Sequence, residues 1–218
     1  ADGRSLSFAE LAAEDATGKK NYAYTSYEKT GRVAIALLEH PRVTRKNAEL
    51  VRVTLDNGEH VRCTPDHRFM LRDGSYREAQ ELEQGDSLMP LYTRLSTKED
   101  DANIVGYEMV LQPDNSAWAY AHHLADDWNL THGVYERSAG KIRHHKDFNK
   151  RNNNPGNIVR LGWREHWRAH YEVAAERHQN DARYRERLAA GRVAYYANPA
   201  TREERARRMS ERNIEMWR

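Results

Sequence analysis

Two patterns that demand different secondary structures divide this chain. Leu50-Val51-Arg52-Val53-Thr54-Leu55 alternates apolar and polar residues, as a strand with one buried face requires. Asp56-Asn57-Gly58 then supplies residues that tolerate positive φ in a tight hairpin, and His60-Val61-Arg62-Cys63 is the returning strand. From about Arg164 onward helix formers dominate instead, broken by Asn180-Asp181, Gly191 and Asn198-Pro199. A chain patterned in this way is an α+β protein, β-rich at first and helical at the end.

Further elements fill in the first half. Val33-Ala34-Ile35-Ala36-Leu37-Leu38 reads as a buried strand, and Arg68-Phe69-Met70-Leu71 precedes a turn at Asp73-Gly74. A short helical piece at Glu78–Leu82 follows, and Gly85-Asp86 opens a strand over Ser87–Leu91. Residues 96–103 are polar and aperiodic, the composition of a linker. Beyond them, Gly106–Leu111 and Ala117–Tyr120 flank Pro113-Asp114-Asn115-Ser116, a hairpin that leads into a helix near His122 to Trp128.

The balance of 39% hydrophobic and 31% charged residues suits modest cores and much wet surface. Net charge is only +2, yet Arg137–Tyr171 holds nine Lys/Arg against two Asp/Glu. Such local excess attracts a polyanion through counterion release, although a solvated basic face carries the same signature. The single cysteine, Cys63, excludes an intramolecular disulfide and is expected as a buried strand residue in a reducing compartment. No apolar run is long enough to span a membrane, so no membrane partner and a cytoplasmic location are expected. The opening Ala-Asp-Gly-Arg lacks both a signal peptide and an initiator Met, which points to a fragment or processed product.

Seven of the eleven histidines lie between residues 122 and 170, and four of them form a pattern. His144-His145 would point to opposite faces of a strand, so one could face a metal and the other a water or substrate. His166 and His170, four apart, would share one helix face within reach of the same ion. A structural zinc site is the rival reading, weakened by the lack of nearby cysteine ligands.

The run His144-His145, Asn153-Asn154, Pro155-Gly156-Asn157-Ile158 and Glu165-His166 resembles the HNH nuclease motif. That resemblance implies a ββα-metal fold over roughly residues 120–172, acting on double-stranded DNA. It implies that His145 is a general base activating water, as a pKa near neutrality suits. His144 and His166 would ligate a divalent metal that polarises the scissile phosphate, with His170 a third candidate as in the bacterial toxin DNases of the class. Asn157 would fix the loop and so aim His145. Imidazole ligands favour a transition metal such as Mn²⁺, Ni²⁺ or Zn²⁺ on softness grounds, with Mg²⁺ still open. Arg143, Lys146, Lys150, Arg151, Arg164 and Arg168 are the candidate DNA-backbone contacts.

Residues 1–92 resemble an intein. The hairpin, Thr64-Pro65-Asp66-His67, the Asp73-Gly74 turn and Gly85-Asp86 are similar to the second conserved block of the Hint fold. The resemblance implies that Thr64 and His67 polarise the peptide bond at the N-terminal splice junction. The junction nucleophile and a closing His-Asn are not found within the 218 residues, so alone this polypeptide is not expected to splice.

The expected division is therefore a partial Hint domain at 1–95, a linker and hairpin at 96–118, an HNH domain at 119–175 and a basic helical tail at 176–218. Arginines 183, 185, 187, 192, 202, 205, 207, 208 and 212 of the tail either bind DNA or pair with the interleaved glutamates. Met209, Ile214, Met216 and Trp217 are the large apolar residues of its last stretch, which is expected to be ordered only against DNA or a partner. The leading functional reading is an intein-associated homing endonuclease. The alternative is a split-intein fragment that splices with complementary intein fragments, its nuclease vestigial. A third is a non-catalytic, metal-stabilised DNA-binding module.

Overall fold

A computed structural model describes residues 1–27 and 30–216. Trp217 and Arg218, with the side chains of Arg212, Ile214 and Met216, lie outside the described residues. The chain divides into two compact units, Ala1–Gly162 and Trp163–Arg218.

The first unit opens with helix α1 (Phe8–Ala16), started by a capping box in which Ser7 and Glu10 satisfy each other's backbone N–H groups. Strands β1 (Tyr22–Ser26) and β2 (Val33–Leu37) pair antiparallel, confirming the strand read from the Val33 run. β3 (Val51–Thr54) and β4 (His60–Cys63) form the expected hairpin with Val53 opposite Val61. Gly58 closes the turn at φ +84°, a conformation that costs a side-chain-bearing residue. Cys63 is buried in β4, as its position in the returning strand implied. β5 (Arg68–Met70) pairs with β6 (Tyr76–Glu78), and a single 3-10 turn over Ala79–Glu81 takes the place of the expected helix.

Two local expectations are corrected. Ser87–Leu91 forms only one bridge, Leu71 to Leu88, flanked by the Arg72 amide on the Ser87 carbonyl and the Met89 amide on the Met70 carbonyl, both at 2.8 Å. Residues 96–103 are a hydrogen-bonded turn rather than a loose linker. Ser96 is buried, the Thr97 amide donates to Asp100 at 2.8 Å, and Arg94 pairs with Asp100 at 2.6 Å. The polar residues there bond to one another, which composition alone does not separate from solvation.

The turn lies between β7 (Thr93–Leu95) and β8 (Glu108–Gln112), which with β9 (Ala117–Tyr120) make a three-stranded sheet. β9 runs directly into helix α2 (Ala121–Thr131), and β10 (Ile142–His145) pairs antiparallel with β11 (Ile158–Leu161). The core joins Tyr22, Val33 and Ile35 of the first strands to Val110 of β8, Leu124 and Ala125 of α2, and Ile158 of β11. The expected boundary at residue 95 thus crosses one continuous apolar cluster. Gly140 packs against the backbone of Leu161, where a Cβ would stand 2.3 Å from a main-chain carbon, so no other residue fits without a shift.

The second unit consists of helices α3 (Trp163–Asn180), α4 (Ala182–Ala197) and α5 (Pro199–Met216). The breaks expected at Asn180-Asp181 and Asn198-Pro199 are present. Asp181 caps α4 by accepting from the Tyr184 amide, and the Arg185 guanidinium donates to the last carbonyls of α3, at His178 and Gln179. Gly191 does not break α4, since one interior glycine costs only about 1 kcal/mol. No described helix is long and apolar enough to cross a membrane.

Candidate functional site

The Thr64–His67 block begins at the residue after β4 and turns back on itself, with the His67 amide donating to the Thr64 carbonyl at 3.0 Å. The following 3-10 turn anchors it, as the Ala79 amide reaches the His67 carbonyl at 2.8 Å and the Gln80 amide reaches that of Pro65 at 3.0 Å. Thr64 is half-buried and His67 is exposed, its ring edge-on to Phe69 at 5.0 Å. Asp66 is held down to about 2 by hydrogen bonds from Arg45 and then Thr64, so it stays ionised beside the block. Both side chains named for this block therefore sit on one fixed turn with open access to at least one of them.

The paired histidines lie at the end of β10, where His144 is opposite Val159 and His145 opposite Ile158. Both are buried, at 6% and 5% exposure. Strand alternation sends them to different surroundings, as expected: His144 is edge-on to Phe148, while His145 lies near Tyr107 and His122. His145 Nε2 is 3.3 Å from Oδ1 of Asn153, a residue with no solvent exposure. Asn153 Nδ2 in turn donates to Glu108 Oε2 at 2.9 Å, and Tyr24 donates to the same carboxylate oxygen at 2.9 Å.

This chain of hydrogen bonds assigns protons. A carboxylate oxygen only accepts, so the bond to Glu108 orients the Asn153 amide and turns its oxygen toward His145. That oxygen also only accepts, so the facing Nε2 of His145 carries the hydrogen in the neutral ring and Nδ1 is left as the basic nitrogen. Burial pushes the His145 pKa down, against the Asn153 hydrogen bond and the charge of Asp147, which favours the neutral form.

Asn157 ties the loop through residues other than His145. Its Nδ2 donates to Asp147 at 2.8 Å and to the Asn152 carbonyl at 2.9 Å, and its Oδ1 accepts from the Asp147 amide at 3.1 Å. The residue that touches His145 is Asn153, which belongs to the motif but had no role assigned from sequence. Glu108 was passed over too, although a lone carboxylate in the apolar run Tyr107–Leu111 was a usable signal.

A second buried network supports the hairpin from below. Asp126 of α2, fully buried, accepts from Arg160 of β11 at 2.7 Å and from Arg143 of β10 at 2.8 Å, with Tyr135 adding a bond at 2.9 Å. Burial alone would raise the carboxyl, but these donors outweigh it and hold the pKa down to about 2. Arg143, expected at a DNA phosphate, is thus engaged internally. Lys150 donates to the Val105 carbonyl at 2.8 Å and lies over the Tyr107 ring, whereas Lys146, Arg151, Arg164 and Arg168 are exposed.

In the second unit His166 and His170 share one face of α3, their ring centroids 4.5 Å apart. Partial burial and the neighbouring His170 lower the His166 pKa, which favours the neutral ring that a metal ion needs.

A hairpin-borne Thr-x-x-His block within a mixed α+β fold defines a protein of the intein class. A family model described as the intein splicing domain matches residues 4–212, and the chain belongs to that family. The B subunit of DNA gyrase from Synechocystis sp. (strain ATCC 27184 / PCC 6803 / Kazusa) is 43% identical over 170 residues. The match covers 78% of this chain and 16% of that protein, so the chain spans a small part of its relative. No solved structure matches.

Proposed function

We propose that the chain acts in protein splicing as part of an intein, contributing the Thr64–His67 block to a Hint domain completed by complementary intein fragments. The family match over residues 4–212 carries this reading. In the reaction a junction hydroxyl or thiol attacks the carbonyl carbon of the preceding peptide bond, and the amide nitrogen leaves as an amine. Thr64 would bond to the scissile peptide and His67 would deliver the proton to the departing nitrogen. The nucleophile and the closing asparagine would come from the complementary fragments. The likeness to a DNA gyrase chain favours a host protein of that kind. Mixing the chain with polypeptides that supply those segments should give a ligated product; no product in any combination would refute the reading.

A second reading, DNA phosphodiester hydrolysis, is favoured by the hydrogen bond of His145 with the fully buried Asn153. The order β10, β11 and, after Gly162 alone, a helix bearing His166 and His170 is the one a ββα-metal motif would need. His144, His166 and His170 would hold a divalent metal; the 4.5 Å ring spacing of the last two fits a pair of ligands on one ion. Their imidazoles suit Mn²⁺, Ni²⁺ or Zn²⁺ better than Mg²⁺. Such an ion supplies charge stabilisation at the phosphate. His145 would take the proton of the attacking water at Nδ1, and Asn153 would keep that nitrogen unprotonated. The test is cutting of supercoiled plasmid with each metal: wild type should cut and His145→Ala should not, while wild type that cuts with none refutes it.

A further inference from the structure

Helix α3 carries an aromatic stripe that neither reading uses. Trp163, Trp167 and Tyr171 recur every four residues, which places them along one helix face. They are 70%, 58% and 60% exposed. The rings of Trp167 and Tyr171 are parallel to within 12°, with centroids 5.3 Å apart. With Arg164, Arg168 and Glu172 the stripe lines one shallow surface recess.

The charges beside the stripe are ordered. Arg164 and Arg168 each follow a tryptophan by one residue, so both guanidiniums run along the same flank of the stripe. His166 and His170 each precede an aromatic by one residue and so occupy the other flank. Among the described residues no ion pair engages Arg164 or Arg168. Three large rings held in water form a patch of the kind that marks a binding surface.

We propose that this face is a stacking platform for unpaired nucleic-acid bases, with Arg164 and Arg168 taking the phosphates of the same strand. The near-parallel, exposed rings of Trp167 and Tyr171 offer what a base face needs, and the flanking guanidiniums offer what its backbone needs. A duplex hides its base faces, so the platform selects single-stranded or locally opened DNA. An apolar peptide would leave the row of unpaired arginines unused. The inference rests on the nucleic-acid reading of the His144–His170 region but not on cleavage.

Binding is measured on the 218-residue chain by tryptophan fluorescence, with chelator present and no metal added. A twelve-nucleotide oligothymidylate should quench the signal, and an abasic strand of the same length should bind about tenfold more weakly, the loss expected for removing stacked bases. Trp167→Ala and Tyr171→Ala should each weaken oligothymidylate binding by roughly five- to hundredfold. Trp167→Phe should retain most of it, and circular dichroism checks that helicity is unchanged. Equal affinity for the abasic strand, or unaltered binding by both alanine variants, would overturn the proposal. So would concentration-dependent self-association, or capture of an apolar peptide in preference to DNA, that Trp167→Ala abolishes. Cleavage is scored separately: a chain that binds but never cuts sinks the hydrolytic reading and leaves the platform standing.

Discussion

Nε2 of His145 faces Oδ1 of Asn153 at 3.3 Å, and Asn153 is itself oriented by Glu108. Removing the amide leaves the buried Nε2 of His145 without that partner and takes one donor from the half-buried Glu108, which keeps Tyr24. Asn153→Ala should therefore destabilise the chain by about 1–3 kcal/mol in urea unfolding. If the chain cuts DNA, the same change should also slow cutting; an unchanged rate would show that His145 needs no help from Asn153.

Asp126 neutralises Arg160, which is shut away from water, and Arg143, which is partly so. Asp126→Asn should cost roughly 3–5 kcal/mol, because it strands buried positive charge. A loss below about 1 kcal/mol, too small for a broken buried pair, would mean that the hairpin β10–β11 is held by packing alone.

Acid should weaken the fold in two stages. His122 is 6% exposed, and burial together with its histidine neighbours pushes its pKa down from 6.5. The unfolded chain then binds a proton that the folded chain refuses, so stability is full above about 6.5 and declines as pH falls below it. By pH 5 the loss from this group reaches roughly 2 kcal/mol. His123, held down to about 4 chiefly by burial, acts in the same direction. Asp126 keeps its stabilising effect above its ordinary value of 3.8 and loses it as pH falls toward about 2. Urea titrations at about pH 7, 5 and 3 check this, and His122→Phe should flatten the first stage. A profile level between the first two of these would contradict it.

His166 and His170 give a metal prediction that needs no DNA. Zn²⁺ or Ni²⁺ should raise the melting temperature of the chain, and His166→Ala with His170→Ala should abolish the rise. A rise that survives both substitutions would place the ion elsewhere.

Much of the fold was legible because local chemistry decided it. The Asn57-Gly58 turn and the alternation of β3 leave one hairpin register, and Asn198-Pro199 ends a helix in any context. Ser87–Leu91 and residues 96–103 were misread because pairing and turn bonds depend on partners that composition does not name. The candidate histidine cluster was legible from spacing. The network behind it was not, since Asn153, Glu108 and Tyr24 meet only when three distant strands and a loop converge. Arg143 and Arg168 are alike in sequence, yet one is engaged by buried Asp126 and the other faces solvent.

The proposal of protein splicing rests on the family match and puts its chemistry on the Thr64–His67 block. Intact-mass spectrometry after mixing the chain with complementary fragments should detect the ligated product for wild type. His67→Ala should slow its formation by about 10²–10⁴, the usual worth of a positioned acid or base. Product formation that is indifferent to both Thr64→Ala and His67→Ala, or no product from the wild-type chain, would contradict the assignment.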